Sequence, residues 1–154
     1  VATPATYAGK KPSVVYGSTI YFVNGNVFYS LDSSDVLTAK FMANANNVFV
    51  GITFFQDQFR IYSTYSTYSG KYFLFSVTDL TTPQYVVDFP NLPILSATNN
   101  RGNDYIIAGF GNGYNDLYVV NGTQSQALKT NMEGNLRLRL FNGVISTRFD
   151  DVFV

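Results

Sequence analysis

With histidine and cysteine both absent, acid–base chemistry in this chain falls to ten carboxylates. They are Asp32, Asp35, Asp57, Asp79, Asp88, Asp104, Asp116, Glu133, Asp150 and Asp151. The missing histidine removes the commonest general base and the commonest metal ligand. Nucleophilic triads built on histidine, and zinc sites built on nitrogen or sulfur, go with it. A glycosidase would need two of the carboxylates to flank a sugar at about 5–9.5 Å from each other. Most of the ten stand instead at the ends of apolar runs or in turns, where aspartate is favoured for hydrogen bonds to its own backbone. Asn112, Asn115 and Asp116 offer oxygen ligands of the kind calcium takes, but not the spaced aspartates of a calcium loop. Gly109-Phe-Gly-Asn-Gly113 lacks the helix that follows a phosphate loop and reads as a β-turn. No catalytic residue, metal or cofactor is expected, and the chain is not expected to be an enzyme.

The other residues with binding chemistry are hydroxylated and aromatic. Tyr62-Ser-Thr-Tyr-Ser-Thr-Tyr-Ser69, if extended, presents Tyr62, Thr64, Ser66 and Tyr68 on one face and Ser63, Tyr65 and Thr67 on the other. Tyrosine among small hydroxyl neighbours makes good recognition surface, being amphipathic and cheap in entropy to fix. Tyr62, Tyr65, Tyr68 and Tyr114 are therefore the candidate ligand-binding residues, suited to stacking on sugar rings. The competing reading is a strand whose rings pack in the core. Asn121-Gly122-Thr123 is an N-glycosylation sequon on an expected turn.

Short apolar runs must position these groups. Asn24-Gly25 separates Thr19–Val23 from Asn26–Tyr29, and Asn142-Gly143 separates Leu136–Phe141 from Val144–Thr147, the strongest short signal for a type I′ hairpin. Gln56-Asp57-Gln58 is expected to turn one apolar run back on the next. Leu136-Arg-Leu-Arg-Leu140 alternates, with one face buried and Arg137 and Arg139 on the other. Ser34-Asp35 followed by Val36–Ala43 suits a short helix as well as a strand, and analogy with the other repeats favours the strand.

Those repeats are Val27-Phe-Tyr-Ser-Leu-Asp32, Leu74-Phe-Ser-Val-Thr-Asp79 and Leu117-Tyr-Val-Val-Asn121, each an apolar strand ending in Asp or Asn before a polar turn. Asp150-Asp-Val-Phe-Val154 resembles the start of a further copy. Their spacing lies in the range of propeller blades. Four sets of strands result. They are Ser13–Tyr16, Thr19–Val23, Val27–Leu31 and Val36–Phe41; then Val48–Phe55, Phe59–Thr64, Tyr72–Val77 and Gln84–Phe89. Next come Ile94–Thr98, Tyr105–Phe110, Leu117–Val120 and Ser125–Lys129; the last set is Leu136–Phe141, Val144–Thr147 and Val152–Val154, which Ala2–Tyr7 would complete.

Phe73–Asp88 resembles the outer two strands of a β-propeller blade, with a strand ending in Asp and a proline-containing turn. Tyr105–Val120 is similar to an inner pair. The resemblance is to an architecture rather than to a family, since neither a Trp-Asp dipeptide nor a paired-glycine kelch signature is present. It implies an all-β domain: a small propeller of about four four-stranded antiparallel blades closed by the N-terminal strand. A β-sandwich or jelly roll is the alternative.

Composition narrows the partners. The 154 residues suit one domain, and 14 Phe with 12 Tyr favour sheet. Charged residues are 13%, about half the usual share, and balance to zero net charge without basic runs. Nucleic acid is therefore not an expected partner. No apolar run approaches the ~20 residues of a membrane-spanning helix. So few titratable groups would limit repulsion in acid, which suits an exposed setting. The function expected is a non-enzymatic extracellular module, at a cell or virion surface, that assembles or attaches through its β surfaces. Its partners would be other surface or capsid subunits, a receptor or a glycan, with homo-oligomers or larger assemblies. The alternatives are a lectin-like glycan binder and, behind it, a small carboxylate-dependent hydrolase.

Overall fold

Apolar runs this short, split by two-residue turns, pair with their immediate neighbours in sequence and so build meanders. The computed structural model describes residues 12–89, 92–110, 114–133, 139–141 and 144–146, all of them strand, turn or irregular structure. The first sheet runs β1 (Ser13–Tyr16), β2 (Thr19–Asn24), β3 (Val27–Leu31) and β4 (Leu37–Met42). The second runs β5 (Val48–Phe55), β6 (Gln58–Ser66), β7 (Ser69–Ser76) and β8 (Tyr85–Phe89). The third runs β9 (Ile94–Asn100), β10 (Asn103–Gly109), β11 (Tyr114–Asn121) and β12 (Gln124–Glu133). Each sheet keeps sequence order, every pair is antiparallel, and among the described residues no ladder joins one sheet to another. A further hairpin joins β13 (Arg139–Phe141) to β14 (Val144–Ser146).

All twelve strands expected in the first three sets form, and Val36–Ala43 is strand rather than helix. Phe73–Asp88 spans the outer pair of the second sheet, as its resemblance implied. Tyr105–Val120 is the middle pair of the third. The recurring Asp is a turn former: Asp32 Oδ1 accepts the Ser34 and Val36 amides at 2.8 and 3.0 Å. Asp79 Oδ1 likewise accepts the Thr81 and Thr82 amides at 2.9 and 3.2 Å. Those hydrogen bonds, with the Thr81 hydroxyl first among them, hold the Asp79 carboxyl below its ordinary pKa.

Turn chemistry departs from expectation at one place. Asn24 pairs with Val27, so Gly25 and Asn26 are the central residues, and of the two only Gly25 has positive φ (58°). That is the type II′ pattern rather than I′. The β5–β6 turn takes the I′ form without glycine, at Gln56 (φ 49°) and Asp57 (φ 59°). The Asn142-Gly143 turn, residues 1–11 and residues 147–154 lie outside the described residues.

The sheets stack through their first strands: β1 and β2 lie against β5, β5 to β7 lie against β9, and β13 lies against β9. Between the first two sheets the core is aromatic, with Phe28, Phe49, Phe59, Phe73 and Phe75 buried together. Tyr62, Tyr72, Leu74, Ile94, Ile106 and Val120 fill the space between the second and third. Gly51 lets β5 approach β9, because a Cβ there would sit 2.8 Å from the Ala97 Cβ. The architecture is all-β and propeller-like.

Candidate functional site

Charge is buried at one seam, between the second and third sheets. Asp104 on β10 is fully enclosed, as are Thr53 on β5 and Arg60 and Tyr62 on β6, and four side chains converge on its carboxylate. Thr53 Oγ1 donates to Oδ2 at 2.7 Å, Asn99 Nδ2 donates to Oδ1 at 2.7 Å, and the Tyr62 hydroxyl donates to Oδ2. Arg60 Nη1 stands 3.2 Å from Oδ2. A carboxylate in such a place needs these partners, since an unpaired buried charge costs several kcal/mol. Burial, then the neighbouring carboxylate, pushes the Tyr62 hydroxyl well above the ordinary tyrosine pKa and Tyr72 up to about 12. Every group that reaches Asp104 is a donor, and the arrangement holds the second and third sheets together.

Above the cluster three hairpin turns frame a cleft of about 230 Å³. Phe55, Gln56 and Gln58 line it from the β5–β6 turn, Gly102 from β9–β10, Asn121 and Gly122 from β11–β12, with Arg60 at its floor. Arg60 Nε has no hydrogen-bond partner among the described residues, and the guanidinium carbon lies 6.0 Å from the Phe55 ring centre. Gly102 (φ 87°) is required twice over, by its backbone and because a Cβ would sit 2.7 Å from the Phe55 ring.

The tyrosine tract does not lie extended. A register shift between Thr64 and Ser66 and a turn at Thr67-Tyr68 make it the β6–β7 hairpin. Tyr62 was expected on a recognition face and is instead in the core, because β6 is a middle strand covered on both sides. Tyr65 is half-buried under the Lys71 ammonium, 4.5 Å from its ring centre. Tyr68 is 70% exposed and meets Phe110, itself 50% exposed, edge-to-face at 6.0 Å. The Tyr114 side chain lies outside the described residues, as does Asn112 of the calcium option; Asn115 is buried. Among the described residues no three acidic side chains group to hold a metal. Asn121 is exposed at the start of its turn, on the rim of the cleft.

A different surface stands out on the first sheet. Val14, Tyr21, Val23, Phe28 and Phe41 face the second sheet. Alternation and cross-strand pairing put Val15, Ile20, Phe22, Tyr29 and Leu31 on the opposite face, with Met42 beside them. Val15 is 69%, Ile20 42% and Met42 68% exposed, while Phe22 and Tyr29 stack at 5.3 Å. Sequence reasoning missed both this face and the Arg60–Asp104 pair.

No family model matches the chain, and no curated protein matches it. Solved structures resemble it in fold. The computationally designed Ika4 protein is 10% identical with a TM-score of 0.56, over 93% of this chain and 87% of that one. The computationally designed Ika8 protein is 10% identical with a TM-score of 0.53, over 88% of this chain and 41% of the other. The N-terminal domain of Nup159, a propeller, is 11% identical with a TM-score of 0.51, over 94% of this chain and 42% of that domain. The chain thus spans about two-fifths of the length of Ika8 and of the Nup159 domain.

Proposed function

We propose that this chain is a non-enzymatic surface module, extracellular and on a cell or virion, that works by assembly or attachment through its β surfaces. The observation that carries the reading is the outer face of the first sheet, where Val15, Ile20 and Met42 stand open to solvent. Contiguous exposed apolar surface marks interaction sites. The chain's lack of histidine and cysteine supports the non-catalytic part. The finer architecture belongs to the same proposal: about four blades, with the hairpin β13–β14 in the last. Residues 2–7 closing a ring within one chain is one way to complete it, and a neighbouring chain is another.

Glycan attachment is a second reading, favoured by the exposed Tyr68–Phe110 pair, whose edge-to-face rings offer a platform to a sugar ring. A glycan array and a mass measurement on one preparation decide between them. Self-association without a glycan hit is expected. A hit on a monomer that disappears in Tyr68→Ala replaces assembly with the lectin reading, and turnover of any glycoside overturns both.

A further inference from the structure

The cleft above the buried ion pair holds a charged donor with nothing to receive it. Arg60 is 4% exposed and floors that cleft, on the stripe of β6 that runs inward from Gln58 through Arg60 to Tyr62. Its Nη1 faces Asp104, whereas Nε has no hydrogen-bond partner among the described residues. Asp104 does not use up the guanidinium. Thr53, Tyr62 and Asn99 donate to the same carboxylate, which leaves Arg60 fixed by one edge and the edge carrying Nε unspent. A buried donor left without an acceptor is costly, so an acceptor that enters the cleft is favoured at this spot.

The walls define what kind of acceptor that is. Apart from Arg60, every residue lining the cleft is uncharged, so the one charge on its surface is positive. Gln56, Gln58 and Asn121 line it with side-chain amides that make no hydrogen bond to another described residue, and these are further donors. Asp57 and Arg101, in the turns around it, are both exposed and of opposite sign. Guanidinium edges match carboxylates in shape, and such charge-assisted bonds are stronger than those to neutral oxygens. The Phe55 ring beside the guanidinium lowers the local dielectric and favours charge pairing further. A volume of about 230 Å³ lies below the roughly 300–1,000 Å³ of pockets for drug-sized molecules, so the occupant is small.

We propose that this cleft binds a carboxylate group, one oxygen taken by Arg60 Nε and the other by the amides of the walls. The carboxylate belongs either to an acidic side chain of a partner protein or to a small free acid. The first source would deepen the attachment reading above. The site itself does not rest on that reading, because the exposed apolar face is on the first sheet and the cleft lies between the second and third.

The test follows the Arg60 Nε–H resonance of isotope-labelled protein during titration with sodium acetate, and separately with acetamide and sodium chloride. Acetate is expected to move the resonance and to saturate in the millimolar range, as a ligand of few heavy atoms allows. Acetamide, which has the same shape without the charge, and chloride are expected to leave it in place. Gln58→Glu, nearly isosteric at a half-buried position, puts a carboxylate on the wall and should weaken acetate binding about tenfold or more while the β circular dichroism is kept. Glutamate blocked at both ends binding more tightly than succinate assigns the group to a partner protein, and the reverse order assigns it to a free acid. No movement with acetate overturns the inference, as does equal movement with acetamide or chloride. An acetate affinity unchanged in Gln58→Glu overturns it too, by placing the binding elsewhere. Each of these outcomes is independent of the mass measurement that tests assembly.

Discussion

The two seams of this molecule are made of different materials. The first, between β1–β4 and β5–β8, is a cluster of rings: Phe28 lies 5.7 Å from Phe59 and 5.5 Å from Phe75, and Phe41 lies 5.2 Å from Phe75. The second, between β5–β8 and β9–β12, buries a guanidinium, a carboxylate and the Thr53 and Tyr62 hydroxyls within its apolar packing, with the half-buried Asn99 beside them. Ring packing is non-directional, so any one contact there can be shared out among neighbours. The polar seam fixes a single register, because each donor has one place to go and an orphaned partner is costly. Adhesion is spread across the first seam, while specification is concentrated in the second.

The largest test of that contrast is Asp104→Ala, which strands Arg60 and three donors in the interior. It should cost about 3–5 kcal/mol in urea unfolding, the range for breaking one side of a buried pair. Phe28→Leu at the aromatic seam should cost less, about 1–2 kcal/mol, since most of the side chain's apolar area is kept. If the phenylalanine change proves the more damaging, the contrast between the seams is wrong. The smallest effect is spectroscopic. A tyrosine whose folded pKa is raised stabilises the fold while protonated; that contribution is whole below about pH 10 and is lost as pH climbs through the folded value. Tyr72, at about 12, and Tyr62 should therefore ionise late in an absorbance titration, in step with unfolding. Early ionisation of every tyrosine would remove the polar seam from the account.

Strands were legible because alternation and turn residues act locally. Val27–Leu31 and Leu74–Asp79 announce themselves through an apolar run and an aspartate that caps the following turn. The turn at Gln56-Asp57 was legible in place, though not in type, since neither residue is usual at positive φ. Arg60 and Asp104 were opaque for a different reason. Charge in a sheet ordinarily faces water, and their pairing depends on two sheets meeting through residues far apart in sequence. One signal was present: Phe59 and Ile61 flank Arg60, so a strand covered on both faces must bury the arginine. The same consideration moves Tyr62 from recognition surface to core. The outer face of the first sheet escaped notice because its residues have the composition of core, and only the stacking order reveals that no described element lies over them.

Gly51 carries a consequence for how such a chain can change over time. Its bare backbone admits Ala97 from the neighbouring repeat, just as Arg60 in one repeat needs Asp104 in the next. The second and third units are thereby fitted to each other residue by residue. Duplicating, deleting or shuffling one would set a Cβ against a Cβ or leave a charge without its counterpart, so the line of descent is committed to this order of parts.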